Sequence, residues 1–184
     1  DTGKIFNIDY NLLKALSAAV ECVHSYSLIH DDLPCMDNDD TRRGNLSTHK
    51  KFGESTAILT GNSLLALAFE ILSDKKLKIK NKIKTELIYS LAICSGHSGM
   101  AGGQYLDLNF EHKKINKLQL IEMQNKKTGN LFSFCCSSST IIKEKKLSIK
   151  KDLNQIGLQI GLLYQIIDDL IDFGGDSSKV GKAT

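Results

Sequence analysis

Proline and arginine are nearly missing from this chain: Pro34 is the one proline, and Arg42 and Arg43 are the two arginines among 24 basic residues. With so few helix breakers and almost no period-two alternation, β architectures are excluded and the expected class is all-α. No apolar run approaches the roughly 20 residues of a membrane span. The most apolar stretch, Leu64 to Leu72, is broken by Glu70, so neither a signal peptide nor a membrane span is expected. The five cysteines (Cys22, Cys35, Cys94, Cys135 and Cys136) include no C-x-x-C pair and are odd in number. That argues against a disulfide framework or a zinc site and for a reduced, cytoplasmic protein. Net charge is only +3, and the lysines scatter along helix-like segments with no aromatic-interleaved patch, so nucleic acid is not an expected partner. A length of 184 residues suggests one domain over 1–184, with enough chain for a real core.

The two arginines stand side by side, after Asp31, Asp32, Asp37, Asp39 and Asp40. Guanidinium grips phosphate with a planar fork, whereas ammonium acts as a point charge. Carboxylates at this density repel unless they share a cation, and hard oxygen donors suit Mg²⁺. The stretch therefore reads as a metal-bridged diphosphate site. A second acidic cluster holds Asp168, Asp169, Asp172 and Asp176. Asp168, Asp172 and Asp176 share one helix face, and the same face runs back through Gln165, Gly161 and Gly157. Small residues followed by polar and acidic ones suit a cavity wall with metal ligands at its mouth.

Helices are expected over about 9–32, 55–73, 79–100, 117–140 and 151–173. Leu12, Leu16, Ala19, Val23 and Ser27 form the inward stripe of the first. Pro34 ends it, leaving the aspartates at a helix C-terminus, where anions are disfavoured and a cation would compensate. On the fourth, Ile121, Thr128 and Cys135 are seven apart, which places Thr128 inward beside Lys127. Gly96 to Gly103 is glycine-rich without a preceding strand, so it does not support a dinucleotide fold. Gly175 to Lys182 likewise fails as a phosphate loop, because a helix precedes it and Ala183 follows its lysine.

Asp31-Asp32-x-x-x-x-Asp37 followed by Arg42-Arg43-Gly44 resembles the first aspartate-rich motif of trans-isoprenyl diphosphate synthases, the polyprenyl synthetase family. Asp168-Asp169-x-x-Asp172 resembles the second. Gly102-Gly103-Gln104-Tyr105-Leu106-Asp107 and Lys126-Lys127-Thr128-Gly129 resemble the two intermediate motifs, in order, and the likeness extends from about Ala18 to Lys182. It is nearest to the bacterial short-chain, farnesyl-forming branch. The resemblance implies an antiparallel helix bundle around a central cavity and a homodimeric, cytoplasmic prenyltransferase. It implies head-to-tail condensation of isopentenyl diphosphate with an allylic diphosphate, with three Mg²⁺ ions as cofactor. Asp31, Asp32, Asp37 and Asp168 would be metal ligands, with Asp172 a further one through water. Arg42, Lys127 and Lys182 would hold the allylic diphosphate, Arg43 would hold isopentenyl diphosphate, and Gln104, Thr128 and Gln165 would line the reacting region. The catalytic set so implied is Asp31, Asp32, Arg42, Lys127 and Asp168, with Tyr26 as the chain-length residue. Geranylgeranyl diphosphate synthesis and a non-catalytic partner subunit are the alternatives. The basic Gly-Lys-x-x-Arg segment and the last helices of the family have no counterpart here, so the chain is expected to be part of a longer enzyme.

Overall fold

Apolar residues three and four apart make the chain helical along most of its length, as the sequence predicts. The computed structural model describes residues 1–174. The elements, in order, are α1 (Thr2–Ile5), α2 (Tyr10–Asp31), a hairpin of β1 (Thr41–Arg42) and β2 (Asn45–Leu46), α3 (Thr48–Phe52), α4 (Glu54–Ser73), α5 (Asn81–Ser95), α6 (Met100–Phe110), α7 (Lys117–Gln124), a π-helical turn (Asn125–Gly129), α8 (Asn130–Ile142) and α9 (Leu147–Gly174). The start of α2 is capped by Asp9, whose carboxylate accepts from the backbone N–H of Asn11 (3.0 Å) and Leu12 (3.2 Å). A reciprocal capping box between Asn116 and Gln119 starts α7.

Two expectations change. The predicted 79–100 helix stops at Ser95, and α6 begins separately at Met100. The reversal between them brings backbone against backbone: a Cβ on Gly99 would lie 2.0 Å from the Cys94 carbonyl oxygen. The predicted 117–140 helix is interrupted by the π turn, which inserts an extra residue into the helical repeat. Positions seven apart across that turn no longer share a face, so Cys135 is exposed while Phe134 is buried. By length and composition alone, α2 and α4 are apolar enough to cross a membrane, a test that core helices of globular proteins also pass.

The chain forms two compact units. The first comprises Asp1–Leu16 with Leu72–Ile166. Here α5 packs on α8 around Leu87, Leu91 and Phe134, and α1 lies on α8, where Ser139 Oγ donates to Thr2 Oγ1 at 3.2 Å. In the same unit α9 approaches α8 closely. A Cβ on Gly157 would lie 2.4 Å from Ser133 Cα, and one on Gly161 would lie 2.6 Å from Gly129 Cα. The small residues expected to line a cavity instead serve this helix contact. The second unit comprises Ser17–Ile71 and the described residues from Ile167 onward, with Ala19, Val23, Leu33, Ala57 and Ala68 buried.

Candidate functional site

The first acidic cluster is built from the end of α2 and the loop that follows it. Pro34 prevents the helix from continuing, and the chain turns back on itself. Leu33 N–H donates to His30 O (3.1 Å), Asn38 N–H to Leu33 O (3.1 Å), and Asp37 N–H to Asp31 O (2.9 Å). Asp31 and Asp37, separated by five residues, are thereby joined at the backbone.

The hairpin then returns the arginines to the same place. Arg42 pairs across the strands with Asn45, and Arg43 and Gly44 form the two-residue turn with φ of 52° and 75°. Two positive φ values are the signature of a type I′ turn, which favours asparagine and glycine. Arginine in the left-handed region is strained, so its presence at this position needs a reason beyond the turn. Arg42 Nε donates to Asp32 Oδ1 at 2.9 Å, its Nη2 contacts the same oxygen, and Nη2 also reaches Asp39 at 3.2 Å. Asp32 is only 2% exposed. Burial alone would lower the Arg42 pKa, but the hydrogen bond to Asp32 and the charges of Asp32, Asp39 and Asp31 outweigh it and raise the pKa overall. Arg43, Arg42, Asp32, Ser47 and Thr48 line a cleft of about 230 Å³. Five residues before Asp31, Tyr26 is partly buried, and burial, aided by the Asp31 charge, raises its phenol pKa.

The intermediate motifs meet in the first unit. The segment Asn125–Gly129, which carries Lys127 and Thr128, is the π turn itself. It packs on α6 at Gly103, where a Cβ would lie 2.1 Å from Lys127 N and 2.4 Å from Lys127 Cα. Only glycine permits that approach. Lys127 Nζ then pairs with the Asp107 carboxylate, one helical turn along α6 from the contact. Its neighbour Lys126 pairs with Glu122 at 2.8 Å, so the two adjacent lysines take opposite directions. Thr128 Oγ1 donates to Gln165 Oε1 at 3.1 Å, tying the π turn to α9. Gln104 is buried on α6.

The second acidic cluster lies near the end of α9. Asp168 is half-buried and Asp169 is exposed. Asp172 lies within α9, with its side chain outside the description, and Asp176 and Lys182 lie outside the described residues. Among the described residues no group of three His, Cys, Asp or Glu side chains is already gathered as a metal cage. The donors themselves, all carboxylates, fit a hard divalent cation.

The family model for polyprenyl synthetases matches residues 2–184. The chain belongs to the polyprenyl synthetase family. Farnesyl diphosphate synthase of Escherichia coli is 43% identical over 183 residues, which cover 98% of this chain and 61% of that protein. An apo FPP/GFPP synthase from Zymomonas mobilis superposes with a TM-score of 0.91 at 45% identity, covering 95% of this chain and 63% of that one. A geranyltransferase from Helicobacter pylori, complexed with magnesium and isoprenyl diphosphate, gives 0.85 at 39% identity over 92% of this chain and 56% of that one. The chain thus spans a little over three-fifths of the E. coli relative's length. The pairing of Lys127 with Asp107 and the seating of the π turn on Gly103 are not expected from the sequence. Asp107 and Gly103 both stand in the Gly102–Asp107 motif, but the contact needs two distant segments to meet, and no local pattern encodes it.

Proposed function

We propose that this chain carries the catalytic region of a farnesyl diphosphate synthase. It would join isopentenyl diphosphate to dimethylallyl or geranyl diphosphate, head to tail, with release of diphosphate. The observation that carries this reading is the arginine hairpin, in which a strained Arg43 and a carboxylate-held Arg42 flank the aspartate loop and share one cleft. The similarity to farnesyl diphosphate synthases supports the choice of reaction.

Asp31, Asp32, Asp37 and Asp168 would hold Mg²⁺, with Asp172 a further ligand. When bound, Mg²⁺ would neutralise charge on the departing diphosphate. Three ions is the number the family resemblance implies, and the magnesium complex of the H. pylori relative supports the choice of metal. Arg42, Lys127 and Lys182 would bind the allylic diphosphate, and Arg43 would bind isopentenyl diphosphate. Arg42 is held by Asp32 and Asp39, and Lys127 by Asp107, so both are oriented before substrate arrives. Thr128, Gln165 and Gln104 would offer dipoles to the allylic cation. The protein would act as a cytoplasmic homodimer. Exposed apolar side chains such as Leu59 on α4, Tyr89 on α5 and Leu163 on α9 support burial against further protein.

In the intact protein, Asp31→Ala or Asp168→Ala should lower kcat by about a hundredfold or more while leaving thermal stability nearly unchanged. Near-normal turnover in either variant would overturn the metal assignment. The second reading is a longer product, favoured by the Z. mobilis relative being an FPP/GFPP synthase. Tyr26 separates the two. It lies about 7–8 Å further down α2 than Asp31, at about 1.5 Å per residue, where its ring would stop a fifteen-carbon tail. Product chromatography of Tyr26→Ala should show a shift to geranylgeranyl diphosphate or longer. An unchanged farnesyl profile would reject the ring as the floor.

A further inference from the structure

Glycine inside a helix is about 1 kcal/mol worse than alanine, yet Gly61 stands within α4 (Glu54–Ser73) and is buried. Its missing side chain is filled by a ring from α2. A Cβ on Gly61 would lie 2.1 Å from His30 Nε2, 2.4 Å from its Cδ2 and 2.8 Å from its Cε1. Through that notch His30 Nε2 reaches the Ile58 carbonyl at 3.2 Å. A carbonyl can only accept, so Nε2 carries the hydrogen and the tautomer is fixed. On its other side the His30 ring meets the Tyr26 ring edge-on, with centroids 5.8 Å apart and planes at 80°. One imidazole therefore touches the α4 backbone and the ring one turn back on α2, and its residue directly precedes the first aspartate in the chain.

We propose that His30 is a positioning residue: seated in the Gly61 notch and bonded to Ile58, it fixes the last turn of α2 and so the direction in which Asp31 and Asp32 face. This rests on the metal-site reading above. A helix end is where backbone order is lost first, because its last carbonyls lack helical partners. Ligands carried there would have to be ordered as metal binds, which weakens binding. The His30 lock supplies that order in advance. It also gives a reason for glycine at position 61, since any side chain there would expel the ring.

The test uses the intact chain with Mn²⁺ and inorganic diphosphate, reading bound metal from loss of the free Mn²⁺ electron-paramagnetic signal. Gly61→Ala and His30→Leu should each weaken Mn²⁺ binding by about fivefold, the size of one lost hydrogen bond. His30→Gln keeps an N–H donor of similar reach and should stay within about twofold of the unsubstituted chain. A purely structural role would move melting temperature and leave Mn²⁺ affinity alone, and that outcome overturns the proposal. Should Gly61→Ala fail to fold, the contrast between His30→Leu and His30→Gln decides: equal affinities in the two refute the lock. Failure of the unsubstituted chain to bind Mn²⁺ saturably would overturn the metal-site reading and this inference together. Binding by that chain with no change in the variants would overturn this inference alone.

Discussion

Arg42 and Lys127 both meet a carboxylate, but they are held by different means. Arg42 belongs to a closed local circuit in which Asp32 lies ten residues upstream, Asp39 three upstream, and a two-residue turn folds the strand back. Lys127 stands on an irregular turn whose backbone touches that of Gly103, twenty-four residues earlier. Its carboxylate partner also comes from that other helix. The arginine is anchored into a buried charge, whereas the lysine pair is more open, with Lys127 and Asp107 side chains 26% and 37% exposed. The two pairs thus differ in burial of the anion: Arg42 is tied to a buried carboxylate, and Lys127 to a partly exposed one.

Removing the two side chains should break that comparison most sharply. Arg42→Ala leaves the Asp32 carboxylate buried without its cation and should cost about 3 kcal/mol in denaturant unfolding. Lys127→Ala breaks a partly exposed pair and should cost about 1 kcal/mol or less, its main effect falling on allylic-substrate turnover. Equal losses of stability in the two variants would end the distinction.

Gly103→Ala should come next. The added methyl meets backbone rather than a movable side-chain end, so α6 and the π turn must separate, at a cost of about 2 kcal/mol. Lys127 would move with the turn, and activity should fall although no charged group has been altered. A Gly103→Ala protein with unchanged unfolding midpoint would show that the π turn can shift freely, and that Gly103 does not place Lys127.

These differences explain which features could be seen in the sequence. The aspartate loop and the arginine pair were legible because their interactions close within about a dozen residues, and Pro34 and Gly44 mark the turns that close them. The inward stripe of α2 was also legible: Leu12, Leu16, Ala19 and Val23 are all buried. The π turn was not, because an inserted residue leaves hydrophobic spacing intact on either side and changes only the phase between them. Hence Thr128 keeps its polar contact with Gln165 while Cys135, seven further on, is turned outward. The α9 stripe of Gly157 and Gly161 was misread for a related reason. Small residues look alike whether they leave room for a cavity or for a neighbouring backbone, and here Ser133 and Gly129 fill the space. The Gly61 notch was equally silent, since the ring that fills it comes from another helix.

The smallest expected effect has the opposite sign, and it sharpens the contrast within the arginine pair. Arg43 occupies the first central position of a type I′ turn at φ 52°, with Gly44 following at 75°. Asparagine followed by glycine is the favoured pair for this turn, because a short amide side chain tolerates the left-handed region better than a long aliphatic stem. Arg43→Asn should therefore stabilise the protein, by about 0.5 kcal/mol, raising Tm by about 1–2 °C. The same substitution removes a guanidinium from the cleft beside Asp32. It should raise KM for isopentenyl diphosphate by about tenfold, as loss of one charge-assisted contact implies, while KM for the allylic substrate changes less. A gain in stability with a loss of substrate affinity is the expected mark of a residue retained for binding at the turn's expense. If Arg43→Asn lowers Tm, Arg43 is holding the hairpin together and is not retained at the turn's expense. If Tm rises and neither KM moves, the strained turn has no role in substrate binding and the cleft is not the isopentenyl diphosphate site.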